Sequence, residues 1–460
     1  MRFYNEQGRA MQTQTKSTSM DNRMNIVALT WPIFLEVLLR SMLNTSDVFM
    51  LSSFSDKAVS AVGVIGQISF LLIVVSMMVS TASGILIAQY NGASRHNDAT
   101  KIGVASVYLG IIFGLGLGLL TFFGSDLVIQ LFGLEPDVAQ FGYDYLIITG
   151  SLTICVTLGL IFSTILRSHG YSKSPMFINL ITGFINVIGN YCALYQPFGL
   201  PVYGVEGVAI ATVFSQFISA LILWILIHRK KIALPMSQCF SIPITFYQKI
   251  LRIGVMNAGE ILSYNLAQIV IVYFVVQMGT ASLTAFTYAQ NIARISFAFS
   301  LALGQASQIQ TSYFVGKGWI NSIFARVQKY FVVGFIASTS ITFIVYLLRY
   351  EIIELFSHDP EVVMLTAGLI GGSIILEAGR VFNLVFISSL KGAGDIVFPV
   401  KLGIASMWGV SVVLAYLLGI HFAFGVIGAW MAIAADEWVR GIIMLFRWRS
   451  KKWVKFSEVQ

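Results

Sequence analysis

Three charged residues interrupt a long apolar run near the N-terminus: Glu36, Arg40 and Asp47 in WPIFLEVLLRSMLNTSDVFM, residues 31–50. At roughly 100° per residue, Arg40 lies about 40° and Asp47 about 20° around a helix from Glu36. All three therefore share one stripe. A charge at membrane depth is costly unless paired or hydrated, and it points to function by default. Two kinds of chemistry fit. The i,i+4 spacing of Glu36 and Arg40 suits a structural ion pair. A desolvated carboxyl also favours its neutral form, so it can take up a proton or be neutralised by a bound cation. Later apolar runs carry Glu260, Arg294, Glu377, Arg380, Asp436, Glu437 and Arg440. Asp436 and Arg440 are again i,i+4 neighbours, which favours a partly structural role for that group.

The rest of the chain explains why charge matters here. Its 460 residues are 57% hydrophobic and 11% charged, with a mean hydropathy of +0.80. A soluble chain carries about 25% charged residues. Repeated runs of about 20 apolar residues are long enough to cross a hydrocarbon core. Strand-type alternation is missing, which makes a transmembrane barrel a poor alternative. The expectation is an all-α polytopic membrane protein.

The net charge of +8 does not point to nucleic acid, because Lys and Arg sit in short loops between spans. Cys155, Cys192 and Cys239 show no CxxC or ligand spacing. His96, His169, His228, His358 and His421 are scattered without metal spacing. The GLGLG at 114–118 lacks the Lys-Ser/Thr of a phosphate loop and reads as close helix packing. No enzyme constellation and no cofactor are expected beyond a coupling ion. The first residues are polar, lack the apolar region of a signal peptide and read as a disordered arm.

Apolar runs between polar breaks predict twelve spans, near 26–53, 60–90, 100–124, 141–166, 175–196 and 204–228, then 250–277, 282–314, 328–350, 362–389, 398–420 and 424–446. Basic residues concentrate in alternate loops, including Arg95 and Lys101, Arg167 and Lys173, 229–231, and Lys391 and Lys401. By the positive-inside rule both termini face the cytoplasm of a multi-pass plasma-membrane protein. The expected layout is an arm (1–24), an N-lobe (25–228), a basic linker (229–249), a C-lobe (250–446) and a basic tail (447–460).

The two lobes are copies. LFGLEPDVAQ at 131 returns as LFSHDPEVVM at 355, an offset of 224. The same offset carries Leu166 and Pro175 to Leu390 and Pro399, and Asn97 to Asn321. After a three-residue slip, GVEG at 204 meets GVIG at 425. Six spans per copy imply two six-helix lobes related by a pseudo-two-fold axis along the membrane normal, with a midplane cavity between them. Under the offset Glu36 becomes Glu260, so the acid recurs, whereas Asp47 becomes Ile271. Helical rise puts both repeated acids about 15 Å deep, near the midplane. Arg294, Glu377 and Arg380 have Phe70, Thr153 and Val156 as mates, so the lobes share a scaffold and not a charge pattern.

These features resemble the multidrug and toxic compound extrusion (MATE) transporters over nearly the whole chain after residue 24. The marks are the first span from Pro32 to Asp47, AQYNGA, LRSHGYSKSP, NVIGNY, GVEGVAIAT and the terminal RWRSKKW. The resemblance implies efflux of organic, often cationic, compounds in exchange for Na⁺ or H⁺. It assigns Asp47 to an N-lobe cation site together with Asn186, Asn190 and Thr212. Many members have aspartate where this chain has Asn190, which cannot take a proton. Other members place the cation in the C-lobe, where Glu260 and Glu377 match, and some carry an arginine where Arg294 stands.

Arg40, Arg294 and Arg380 are then charge partners of these acids. Tyr264, Tyr273, Phe286, Tyr288 and Met256 are candidate walls of an adaptable drug cavity. The expected partners are small organic cations or amphipathic drugs and membrane lipid, with no nucleic acid, and the protein is expected to act as a monomer. The alternative function is a flippase for a lipid or lipid-linked precursor. Such a protein calls for a basic cavity, whereas acids and arginines are mixed here.

Overall fold

The computed structural model describes residues 20–195, 199 and 201–457, and within these it is helical throughout its long elements. Most of the arm expected at 1–24 lies outside the described residues. The first lobe holds α1 (Ile26–Ser52), α2 (Asp56–Gly92), α3 (His96–Phe132), α4 (Pro136–Ser151), α5 (Thr153–Ser168), α6 (Lys173–Leu194) and α7 (Gly204–Arg229). The second follows with α8 (Ile244–Gln277), α9 (Thr280–Gly316), α10 (Ile320–Leu347), α11 (Pro360–Gly392), α12 (Val397–His421) and α13 (Gly425–Arg449).

The chain divides into two compact units. One comprises residues up to Ile87 with Arg95–Ala258, and the other Ala88–Ser94 with everything from Gly259 on.

Among the described residues nine helices are long and apolar enough to span a membrane, or ten when α4 and α5, bent by 46° at one residue, count as a single span. Two more, α9 and α13, have the length and fail on polarity. Part of that polarity turns inward: Ser296, Ser300, Ser307 and Gln310 of α9 are buried, as are Asp436, Glu437 and Arg440 of α13, while Gln290, Asn291 and Arg294 of α9 are exposed. With these two the spans number twelve, six in each lobe.

Local signals set the helix starts. Asn25 caps α1 by accepting from the Val27 N–H at 3.0 Å. Asp359 caps α11 by accepting from Glu361 at 2.9 Å, with Pro360 as its first residue. Its repeat mate Glu135 precedes Pro136, the first residue of α4. Packing repeats too. Leu51 and Val205 lie in one buried cluster of the first lobe. Their mates Val275 and Val426 lie in one of the second.

Glycine makes the closest approaches. A Cβ on Gly114 would come 2.7 Å from Ile154 Cα, and one on Gly118 would come 2.3 Å from the Ser151 carbonyl oxygen. These two glycines let α3 press its backbone against the α4–α5 bend, the small-residue packing that membrane helices favour. Gly116 of the same run meets nothing within 4 Å. Gly118→Leu should therefore destabilise the protein by about 1–3 kcal/mol through overpacking, while Gly116→Leu leaves it unchanged. Thermal unfolding of the two variants in detergent checks this. Equal melting points would refute the packing role.

Candidate cation and charge-pair sites

In the first lobe α1 and α6 run parallel in fixed register, and two polar rungs join them. Glu36 accepts from the Asn179 amide at 2.8 Å. Asp47 accepts from the Asn190 amide at 2.7 Å. Each pair is 143 residues apart. The acids are eleven residues apart, about three turns, so both rungs fall on one side of α1. Between them Leu43 packs on Gly183, where a Cβ would come 2.2 Å from Leu43 Cδ1.

The Asp47 rung continues across α4 and α7. Asn186 donates to Thr212 Oγ1 at 3.2 Å, and the Tyr145 hydroxyl lies beside the same Thr212 side chain. Thr212 itself donates to the Val208 carbonyl at 2.9 Å. Asn190 is fully buried, and its Oδ1 has no hydrogen-bond partner. A carboxylate, two amides and two hydroxyls thus follow one another along these contacts, side chains whose oxygens are of the kind hard cations take. The structure brings together the residues that the family resemblance implied here, Asp47, Asn186, Asn190 and Thr212. Tyr145 is the addition, hidden from sequence because it sits in an ordinary apolar run.

The Glu36 rung has a different character. Glu36 accepts from Arg167 on α5, and Arg40 lies 3.5 Å away with its side chain 57% exposed. Ser219 on α7 donates to Asn179 Oδ1 at 3.2 Å. In the second lobe Glu260 accepts from Lys391 on α11. Arg167 and Lys391, expected in loops, belong to the last turns of α5 and α11. They are the strongest partners of the repeated acids, ahead of Arg40, because their long stems reach inward from the helix ends.

The second lobe gathers a larger cluster. Arg380 on α11 donates to Glu377 and lies 3.8 Å from Glu437. Arg440 pairs with Asp436 at 2.7 Å and Glu437 at 3.1 Å, both on α13. Asn383 donates to Glu437 at 2.9 Å, and Ser406 on α12 donates to Asp436. Tyr264 on α8 lies within electrostatic reach of Arg380, Asp436, Glu437 and Arg440. Three acids face two arginines, so the group carries one net negative charge when all are ionised. Glu377 Oε2 and Asn383 Oδ1 are buried without a partner. Glu260 is paired elsewhere, with Lys391.

The remaining candidates scatter. Arg294 and Tyr273 are exposed, and Met256 is half-buried. Tyr288 donates to the Phe356 carbonyl at 3.3 Å. Phe286, expected as a cavity wall, is packed in the core in a T-shaped contact with Trp430.

A twelve-span protein of two repeated lobes, with buried carboxylates on matching spans and mixed charge at membrane depth, is built as a transporter. The MatE family matches the chain twice, over residues 32–192 and 258–417, once in each half. An uncharacterized transporter of Bacillus subtilis, YisQ, is 37% identical across 96% of this chain and 98% of its own length. The probable multidrug resistance protein NorM of Thermotoga maritima is 25% identical across 94% and 93%. A crystal structure of MATE in complex with MaD3S shares the fold, with a TM-score of 0.87 at 18% identity over 95% of this chain and 96% of that one. The chain belongs to the MatE family of multidrug and toxic compound extrusion transporters.

Removing Arg440 strands Asp436 and Glu437 in the lobe interior. Arg440→Leu should cost about 3–5 kcal/mol, and adding Asp436→Asn should recover part of it. Thermal unfolding in detergent of the single and double variants tests the coupling; simple addition of the two effects would count against it.

Proposed function

We propose that the protein is a secondary antiporter that exports organic cations and amphipathic drugs by alternating access, coupled to a cation bound at the Asp47 rung. The observation that carries the reading is the asymmetry of that rung. Asp47 and Asn190 have Ile271 and Leu414 as their repeat mates, so oxygen ligands replace an apolar contact in one lobe only. Structure alone does not require them, since the second lobe folds without them.

Na⁺ is the ion that fits best. Asn190 cannot take a proton but offers a carbonyl oxygen. Its amide N–H donates to Asp47. Turned over, the same amide would present Oδ1 beside the carboxylate, an arrangement that only a bound cation makes favourable. Ion binding then neutralises a half-buried charge and changes the contact between α1 and α6, which biases one conformation of the lobe over another. The relatives named as multidrug resistance proteins support drug efflux as the output. Basic loops at one end of each lobe support cytoplasmic termini by the positive-inside rule.

A second reading has one specific observation behind it. The net negative cluster around Glu377, with two unpartnered oxygens, suits a proton or cation in the second lobe.

Proteoliposomes with imposed gradients separate these readings. An inward Na⁺ gradient should drive ethidium transport against its concentration. Asp47→Asn should reduce that drive by about tenfold or more, and Glu377→Gln should leave most of it. The reverse pattern would move coupling to the second lobe. Translocation of labelled lipid with no ion-driven ethidium movement would support a flippase and end the antiport reading.

A further inference from the structure

The two ion pairs Glu36–Arg167 and Glu260–Lys391 are one pair written twice. In each, acid and base are 131 residues apart. The repeat offset carries both partners of the first onto both partners of the second. The four side chains are largely withdrawn from the surface, at 7% and 16% exposure in the first pair and 10% and 13% in the second. The surrounding helices keep their spacing as well. The mate of Asn179 is Gly403, and a Cβ there would come 3.2 Å from Glu260 Oε1. Asp47, Arg294, Glu377 and Arg380 have apolar or neutral mates, whereas this acid and this base both return as charges.

Net stability does not account for that persistence. Replacing a buried ion pair with apolar residues of similar volume is often neutral or stabilising, although removing one partner alone is costly. Fixing register is what such pairs do best. Each pair here joins the first span of its lobe to the end of the fourth, and in the first lobe Asn179 and Ser219 extend the tie to α6 and α7.

We propose that Arg167 and Lys391 are positioning residues of the transport cycle. Each pins the N-terminal half of its lobe's first span, so that movement is confined to the half beyond the pin. In the first lobe that half carries Asp47, about 16 Å further along α1. On this assignment Glu36 and Glu260 hold bases and not the transported ion. The inference rests on the transport reading above for its functional consequence.

The test uses the full chain in proteoliposomes. Hydrogen exchange is followed over residues 26–40 and 41–52, with and without Na⁺ and ethidium, beside turnover at saturating and limiting ethidium. In the unmodified protein 26–40 should stay protected throughout while 41–52 responds to ions. Arg167→Gln should speed exchange of 26–40 and lower turnover by about tenfold, with half-saturating ethidium kept within about twofold. Arg167→Lys should restore both.

The double variant E260L/K391M removes both charges of the second pair. It should keep the melting temperature and the response to the ion gradient, yet turn over about tenfold more slowly. Turnover equal to the unmodified protein would overturn the proposal. Loss of gradient response in the double variant would also overturn it, by making Glu260 an ion ligand. If the unmodified protein shows no ion-driven transport, coupled efflux fails as a reading. Exchange over 26–40 in Arg167→Gln still decides the pin.

Discussion

The register between α1 and α6 is the constraint on which the first lobe's chemistry depends. Leu43 seated over Gly183 fixes how the two helices lie, and the parallel run then places Glu36 opposite Asn179 and Asp47 opposite Asn190. A shift of one residue along either helix would turn the partners about 100° apart and leave two carboxylates without donors in an apolar setting. At the matching positions of the second lobe the sizes are exchanged. Ala267 and Met407, mates of Leu43 and Gly183, are both buried. One scaffold thus carries two solutions to the same packing problem.

On that scaffold the two lobes have diverged in an ordered way. At the Arg167 end of α1 the acid is kept and its base is kept, first as arginine and then as lysine. Toward the other end the acid and its amide give way to isoleucine and leucine. The second lobe places its own charges on the fourth and sixth spans, where Glu377, Arg380, Asp436, Glu437 and Arg440 neutralise one another to within one charge. In an apolar interior such near-neutrality is what keeps a polar cluster bearable. The residual charge is where chemistry has room to act.

Much of this was legible in the sequence, and the parts that were not failed for physical reasons. Composition, span number and duplication follow from apolar run lengths and a constant offset, which survive substitution. The family resemblance supplied Asn186, Asn190 and Thr212 beside Asp47. Tyr145 escaped because only the approach of α4 to α7 makes it a neighbour of Thr212. Asn179 was within reach, since its distance from Glu36 equals that of Asn190 from Asp47. Arg167 and Lys391 were also within reach, one residue beyond the matched Leu166 and Leu390. Counting them as loop charges concealed that they are repeat mates pointing back along their helices. Phe286 misled because an aromatic ring on a span packs a core as readily as it lines a cavity.

We propose that the Asp47–Asn190 rung binds the coupling ion, and coupling in an antiporter shows at equilibrium as weaker drug binding when the ion is loaded. Equilibrium binding of ethidium to purified protein, measured by fluorescence across a Na⁺ titration at constant ionic strength and pH, tests it most directly. The account predicts that Na⁺ weakens ethidium binding in the unmodified protein and that Asp47→Asn abolishes this dependence while drug still binds. Na⁺ antagonism that persists undiminished in Asp47→Asn would contradict it.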